Sequence, residues 1–204
     1  MDIFGRSPGT LNGLCRSEYH AGAWDFGMNH DSYPETYIRT ILQDVRTVAL
    51  VGASPNPVRP SYFVLKYLID KGYEVFPINP GQAGKEILGR PVYATLKAIP
   101  ESIDMVDIFR GSDAVSGIVE EALALEPLPK VIWMQLGIRH DGAAAAAEDA
   151  GIQVVMNRCP KMEYGKLSGE WGWVGGYSGA LSSQRQRLHA SGRMQSLGIA
   201  PRKS

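Results

Sequence analysis

Apolar residues in the central part of the chain alternate between short continuous runs and positions at helical spacing. The runs have the length of strands and lie at residues 47–51, 74–78, 103–109, 131–136 and 153–156. Helical spacing predicts the helices between them, at residues 62–71, 112–125 and 141–151. Buried strands that alternate with helices indicate a parallel sheet covered on both faces. The pattern therefore predicts an α/β fold with a Rossmann-like, doubly wound, mainly parallel sheet.

Short polar residues mark where the helices should begin. Asp31 or Ser32 precedes a helical pattern that leads to the first strand, and Ser112 or Asp113 precedes the helix after the third strand. Asp141 precedes the alanine-rich helix before the fifth strand. Side-chain oxygens of such residues accept hydrogen bonds from the free N–H groups of a first helical turn. We expect these residues to be the helix caps.

The chain outside this pattern divides into an edge strand and two extensions. Residues 89–93 predict a short edge strand, because a proline near its start is tolerated only there. Residues 1–30 lack a sustained period and predict a flexible extension, with Met28 as an alternative start of the chain. Residues 163–204 are rich in Gly and Trp and then basic, which predicts a solvated, partly disordered tail, or else an oligomer arm or a lid anchored by Trp171 and Trp173. A single domain is thus expected over residues 31–162.

Composition narrows the classes of function. The 204 residues contain 21 Lys and Arg and 21 Asp and Glu, so no basic field for nucleic acid is expected. No apolar stretch approaches the roughly 20 residues that span a membrane, and no secretory signal opens the chain, which favours a soluble protein of the cytoplasm. Cys15 and Cys159 have no zinc-type spacing, so no metal is expected.

A glycine turn follows the first strand and offers a place for phosphate. Residues 52–55 read Gly-Ala-Ser-Pro, and a helix begins shortly afterwards. Ligands of doubly wound sheets bind beyond the carboxyl ends of the strands, where helix N-termini attract anions. Gly52 allows close approach, and Pro60 suits a first helical turn because its missing N–H costs nothing there. Further hydrogen bonds are available from Ser54, Arg59 and Ser61.

An NAD(P)-dependent oxidoreductase on the same fold is the main alternative, and the sequence departs from it twice. Only the first glycine of the G-x-G-x-x-G fingerprint is present. The second strand ends in Asn79-Pro80, where dinucleotide sites place an acidic ribose ligand. The turn taken alone is also compatible with a plain strand-to-helix connection that binds nothing.

Seven blocks of sequence resemble the small bacterial and archaeal CoA-binding protein family, which is similar to the N-terminal domain of the succinyl-CoA synthetase α-subunit. The blocks are residues 48–57 (VALVGASPNP), 59–62 (RPSY), 72–80 (GYEVFPINP), 87–89 (ILG), 104–110 (DMVDIFR), 133–138 (WMQLGI) and 157–161 (NRCPK). They occur in the order of the family. Their combination is specific where the glycine turn alone is not.

The resemblance implies that coenzyme A is the cofactor and that its contacts lie at the strand exits. The glycine turn and the following helix start match the pyrophosphate site of the family: Gly52, Ala53, Ser54, Arg59, Pro60, Ser61 and Tyr62. The exit of the second strand, Asn79-Pro80, is expected at the adenosine end, and Phe109-Arg110 beside the adenine. Gln135 and Gly137 are expected to line the same crevice. A phosphate-binding lysine of the family corresponds to Lys85 only across an insertion.

The function implied is that of a protein that binds CoA or an acyl-CoA as a carrier, a sensor or a partner subunit. No pair of carboxylates and no Ser/His/Asp set accompanies the crevice, so no catalytic residue is assigned. None of the four histidines has the context of the synthetase's catalytic histidine, so phosphohistidine chemistry is not implied. The non-catalytic half of an acyl-CoA ligase is a second alternative. A homo-oligomer and a partner subunit both stay open.

Two further residues carry reactive groups. His140 precedes Asp141 and is expected to be a loop residue and not a base. Cys159 lies between Arg158 and Lys161, whose charges favour a thiolate. The sequence leaves two interpretations of Cys159: a buried structural cysteine, or a thiol that forms a mixed disulfide with CoA.

Overall fold

The computed structural model describes residues 29–170. Its helices are α1 (Glu35–Asp44), α2 (Pro60–Asp70), α3 (Ser112–Leu123), α4 (Asp141–Asp149) and α5 (Pro160–Leu167). Its strands are β1 (Thr47–Val51), β2 (Glu74–Ile78), β3 (Glu86–Ile87), β4 (Arg90–Pro91), β5 (Met105–Ile108), β6 (Val131–Met134) and β7 (Gln153–Val155). Short 3-10 turns cover Pro80–Gln82 and Leu96–Ala98.

Five of the strands form a parallel sheet in the order β2-β1-β5-β6-β7. From β1 the chain adds β2 on one side, and it then adds β5, β6 and β7 on the other side. The direction of winding therefore reverses between β1 and β5. In doubly wound sheets this switch point opens a crevice at the carboxyl ends of the strands.

Both faces of the sheet are covered by helices, which confirms the predicted fold class. Along β1, Val48 and Leu50 face the cluster formed with α1, α2 and α5. Ala49 faces the opposite cluster, formed with α3 and α4. Because successive side chains of a strand point to opposite faces, a continuous apolar run is needed to fill both clusters. The bounds predicted for β1 and β2 are those observed.

The predicted edge strand at residues 89–93 is only partly correct. β4 pairs with β3 in a separate antiparallel ribbon and does not join the parallel sheet. Tyr93 joins this segment to the main sheet through a bridge to Ile78: its N–H donates to the carbonyl of Pro77, and its carbonyl accepts from Asn79, each over 3.0 Å. The ribbon thereby packs against the end of β2.

The predicted caps of three helices are wrong, because the polar side chains find other partners. Pro34 caps α1 while Asp31 pairs with Arg139 at 2.6 Å. Gly111 caps α3, and Ser112 is the first residue of that helix. His140 caps α4: its Nδ1 accepts a 3.0 Å hydrogen bond from the N–H of Ala143. His140 is thus the N-cap residue of α4.

Helix α5 carries the packed chain past residue 162, where the sequence placed the end of the domain. Tyr164 is fully buried, and its ring meets the rings of Tyr67 and Tyr73 edge-on at 6.0 and 6.3 Å. The predicted boundary therefore falls inside a helix of the core. The remaining parts of both predicted extensions, Met28, Trp171 and Trp173 among them, lie outside the described residues.

Candidate cofactor site

The glycine turn lies at the switch point and packs tightly against the exit of β5. Gly52 has φ +93°, and a Cβ at this position would lie 3.1 Å from Cδ of Arg110 and 3.2 Å from the carbonyl oxygen of Phe109. Its N–H donates to the carbonyl of Ile78 over 2.9 Å. Positive φ and the crowding both require glycine. The end of β1 is therefore held between the exits of β2 and β5.

Helix α2 begins beside this turn without a side-chain cap. Arg59 is the N-cap residue, and Pro60 is the first helical residue, as predicted. No side chain accepts a hydrogen bond from the first turn. Pro60 has no N–H, and the N–H of Tyr62 donates to the carbonyl of Arg59 over 3.0 Å. The N–H of Ser61 and the positive end of the helix dipole are therefore the groups that this turn offers to an anion. Ser61 is buried and Tyr62 half-buried below the exposed Arg59.

Two side chains stiffen the turn. Oγ of Ser54 accepts a hydrogen bond from the N–H of Asn56 at 3.2 Å. Nδ2 of Asn79 donates to the carbonyl of Ala53 at 2.7 Å, and its Oδ1 accepts from Gly81 at 2.9 Å. Asn79, predicted to border the adenosine, thus ties the exit of β2 to the glycine turn. Ala53 is fully buried beneath the turn.

A cleft of about 420 Å³ opens between the ends of β1, β2 and β5 and the first turns of α3. Among the predicted site residues it is lined by Gly52, Asn79, Pro80 and Arg110. Sequence reasoning missed seven further lining residues: Val51, Ile78, Gly81, Ala94, Ala114, Ile118 and Glu121. The last three share one face of α3 at spacings of four and three, which a helical projection from Ser112 would have indicated.

Other predicted site residues lie at the carboxyl edge but not in this cleft. Phe109 packs toward α2 and α5, on the opposite face of the sheet. Gly137 is exposed after β6, and its N–H donates to Oδ1 of Asn157 at 2.8 Å. Lys85 is exposed and donates to Gln82 at 3.1 Å, away from the cleft. Their contacts with a cofactor stay predictions.

Two guanidinium groups flank the turn without a protein partner. In the described part of the chain, Arg59 and Arg110 are exposed and make no ion pair or side-chain hydrogen bond. Arg90, Arg139 and Arg158, by contrast, pair with carboxylates. Unpaired guanidinium groups beside an uncapped helix start are suited to bind phosphate through charge-assisted hydrogen bonds.

A buried carboxyl group, missed by sequence reasoning, stands at the end of β5. Asp107 is fully buried, and burial raises its pKa to about 8. Nε2 of Gln135, itself buried, lies 2.9 Å from Oδ1 of Asp107 and opposes this shift. Gln135 therefore donates a hydrogen bond to the neighbouring strand β5 and does not line the cleft. An acidic residue inside an apolar strand run was the signal available in the sequence.

Of the two interpretations of Cys159, the structure supports the buried structural cysteine and not a reactive thiolate. The side chain is 7 % exposed, and burial raises the pKa of its thiol. Arg158 points away: its guanidinium lies 5.6 Å from the Tyr33 ring centroid and 3.7 Å from Glu163. Lys161 lowers the pKa of the thiol by less than burial raises it. The thiol is therefore protonated at neutral pH, as in a structural cysteine.

Two features of other protein classes are absent from residues 29–170. No described helix combines the length and the apolar character needed to cross a membrane. No cluster of three or more His, Cys, Asp or Glu side chains in this part of the chain has the arrangement of a metal site.

Relatives share this fold and much of this sequence. The uncharacterized protein YneT of Bacillus subtilis is 36 % identical over 127 residues, which cover 62 % of this chain and 91 % of YneT. A solved hypothetical protein from Pyrococcus horikoshii is 38 % identical, with a TM-score of 0.61 over 66 % of this chain and 92 % of the other. The α subunit of the ADP-forming acetate–CoA ligase I of Pyrococcus furiosus is 36 % identical over 84 residues, which cover 39 % of this chain and only 18 % of the subunit.

The family described as "CoA binding domain" matches residues 46–165, a range that begins just before β1 and ends within α5. The glycine turn, the uncapped start of α2 and the cleft all lie inside that range. Residues 46–165 make up more than half of the chain, and this chain therefore belongs to the CoA-binding domain family.

Proposed function

We propose that this protein binds coenzyme A or an acyl-CoA at the carboxyl edge of its sheet and acts as a carrier, a sensor or a partner subunit. The observation that carries the proposal is the packing of Gly52 against Arg110 at the switch point. This packing sets the exposed Arg110 against the glycine turn, near the uncapped start of α2. A diphosphate bound there accepts hydrogen bonds from the N–H of Ser61 and from the guanidinium groups of Arg59 and Arg110.

Charge and shape support the same ligand. CoA carries a diphosphate and a further phosphate on its ribose, and the unpaired Arg59 and Arg110 stand on two sides of the glycine turn. The cleft between β2 and α3 has polar groups at its rim and the apolar side chain of Ile118 in its wall. We assign the phosphates to the turn and the adenosine to the cleft.

NAD is a poorer fit to the same edge. A dinucleotide site uses a carboxylate at the end of β2 to hold a ribose hydroxyl. Here Asn79 stands at that place, and both ends of its amide are engaged by Ala53 and Gly81. Nothing at this strand exit then takes the role of the carboxylate.

The proposed role is binding and not catalysis. The reactive groups near the carboxyl edge are occupied or buried: His140 caps α4, and Cys159 is buried with a raised thiol pKa. The ligase subunit of Pyrococcus furiosus supports a partner-subunit role, as the non-catalytic part of a larger assembly. Co-purification of a second polypeptide would support that role over the carrier and sensor roles.

Calorimetric titration of the purified full chain with CoA and with NAD tests the proposal. We expect CoA to bind more tightly at matched concentration and salt. Mass spectrometry of small molecules released by denaturation identifies any bound acyl group. Tighter binding of NAD, or no binding of CoA, would overturn the assignment.

A further inference from the structure

Exposed large apolar side chains are concentrated at the edge that holds the glycine turn. Within residues 29–170 six such residues are exposed, and four stand at the carboxyl edge: Val58, Phe63, Leu136 and Met162. We call these four the apolar rim. Of the other two, Leu88 lies in the turn between β3 and β4, and Leu128 lies before β6 at the opposite edge.

Contacts between neighbouring segments bring the rim together. Val58 and Phe63 occupy the positions before the cap and in the first turn of α2 that form a hydrophobic staple in many helices. Nζ of Lys161 lies 6.0 Å from the Phe63 ring centroid, so the start of α5, with Met162, is beside Phe63. The hydrogen bond from Gly137 to Asn157 holds the turn of Leu136 against the connection that leads into α5.

The rim lies on the opposite side of the glycine turn from the cleft. The cleft is lined by α3, on one face of the sheet, whereas the rim extends from α2 to α5, on the other face. For a ligand with its nucleoside in the cleft and its diphosphate at the start of α2, the rim is the adjoining apolar surface on the far side of the turn. The end of β6, which leads to Leu136, is two strands from β1, about 10 Å away. A pantetheine arm is long enough to span that distance.

We infer that the apolar rim receives the pantetheine arm and its acyl group, so that the preferred ligand is an acyl-CoA with an apolar acyl chain. The inference rests on the proposed function. Free CoA ends in a small thiol and leaves the rim exposed, whereas an acyl chain covers it. Contact removes apolar surface of both partners from water, so affinity rises roughly two- to fourfold for each added methylene.

The test titrates the full chain with CoA, acetyl-CoA, butyryl-CoA and hexanoyl-CoA. The rim variant is Phe63→Gln combined with Met162→Gln, since both side chains are about half exposed and glutamine suits a helix. The matched control is Leu128→Gln, an exposed leucine at the opposite edge. We expect at least about a tenfold gain in affinity from acetyl-CoA to hexanoyl-CoA in the wild type and the control, and less than about threefold in the rim variant.

Each contrary outcome has a distinct meaning. Equal affinity of the wild type for all four ligands would overturn this inference and leave the proposed function standing. Failure to bind any of them would overturn both. A rim variant that keeps the chain-length dependence would remove the rim from the site. If that variant also sediments as a smaller species than the wild type, the rim is a contact between copies of this chain.

Discussion

Nε2 of Gln135, at the end of β6, lies 2.9 Å from Oδ1 and 3.2 Å from Oδ2 of Asp107 in the neighbouring strand β5. Both side chains are buried. This hydrogen bond joins two strand ends beneath the glycine turn and satisfies a carboxyl group that has no cation beside it. Burial, the dominant effect on its pKa, favours the protonated form of Asp107 up to about pH 8.

An Asp107→Asn variant should change how stability depends on pH. Because the folded pKa is raised, the unfolded chain releases the Asp107 proton near pH 4 while the folded chain keeps it to about pH 8. The wild type therefore loses stability between these values as the pH rises, by roughly 1 kcal/mol per pH unit. Asparagine mimics the neutral acid, so the variant should lack this loss.

Urea unfolding at pH 5, 6, 7 and 8 measures the difference between variant and wild type, from which contributions shared by both proteins cancel. The stability of the variant relative to the wild type should increase at each step. A difference that stays constant over this range would mean that Asp107 is ionised in the folded protein throughout.

Gly52→Ala should reduce both stability and CoA affinity. The new Cβ meets the Arg110 side chain and the Phe109 backbone, and the positive φ adds a conformational cost of about 1 kcal/mol. Gly89→Ala is the matched control, because Gly89 has φ +72° and nothing within 4 Å of its Cβ position. Thermal unfolding of both variants measures the loss of stability, and CoA titration of both measures the loss of affinity.

We expect Gly89→Ala to show only the conformational cost and normal CoA binding. Gly52→Ala should be less stable than this control and should bind CoA at least about tenfold more weakly, a loss of about 1.4 kcal/mol. Equal CoA affinity in the two variants would mean that the ligand does not approach the backbone at Gly52.

Glu170→Gln should destabilise the packing of α5 on α2. Glu170 pairs with Lys71, which is 1 % exposed and lies 5.3 Å from the ring centroid of Tyr67. It also accepts a 2.7 Å hydrogen bond from the Tyr67 hydroxyl. A neutral glutamine leaves the buried ammonium without its carboxylate, at a cost of roughly 2–3 kcal/mol.

Two comparisons identify the cause of that loss in urea unfolding. Adding Lys71→Met to Glu170→Gln should recover more than half of the lost stability, because the buried charge is gone. Asp70→Asn breaks the exposed pair of Asp70 with Lys66 on the same helix and should cost less than about 0.5 kcal/mol. A similar cost for both single variants would show that burial of Lys71 adds nothing.

The parallel sheet could be predicted closely because its strands carry an unambiguous signal. β1 and β2 are continuous apolar runs that end at Gly52 and Asn79, and a strand buried on both faces needs such a run. The later strands are one to three residues shorter than predicted. Apolar residues such as Ile103, before β5, and Leu136, after β6, lie beyond the end of the hydrogen-bonded ladder. Apolar character alone does not mark that end.

The site was predictable where it depends on the local chain and not where it depends on packing. Gly52 and the start of α2 follow from one strand-turn-helix segment. The bond between Asp107 and Gln135 joins residues 28 positions apart, and Asp31, predicted to be a helix cap, pairs with Arg139, 108 positions away. Such partners are set by the tertiary fold, which local helix and strand propensities do not specify.

Arg59→Ala should weaken CoA binding without unfolding the protein. The exposed guanidinium stands at the cap of α2, where the diphosphate is proposed to bind, and a hydrogen bond to a charged group contributes about 1.5–3 kcal/mol. Arg46→Ala is the matched control, since Arg46 is equally exposed but lies before β1 at the opposite edge. The loss at Arg59 should shrink at high salt, because screened phosphates gain less from the guanidinium. Titrations of wild type and both variants with CoA at low and high salt measure these effects, and an unchanged Kd for Arg59→Ala at low salt would take Arg59 out of the site.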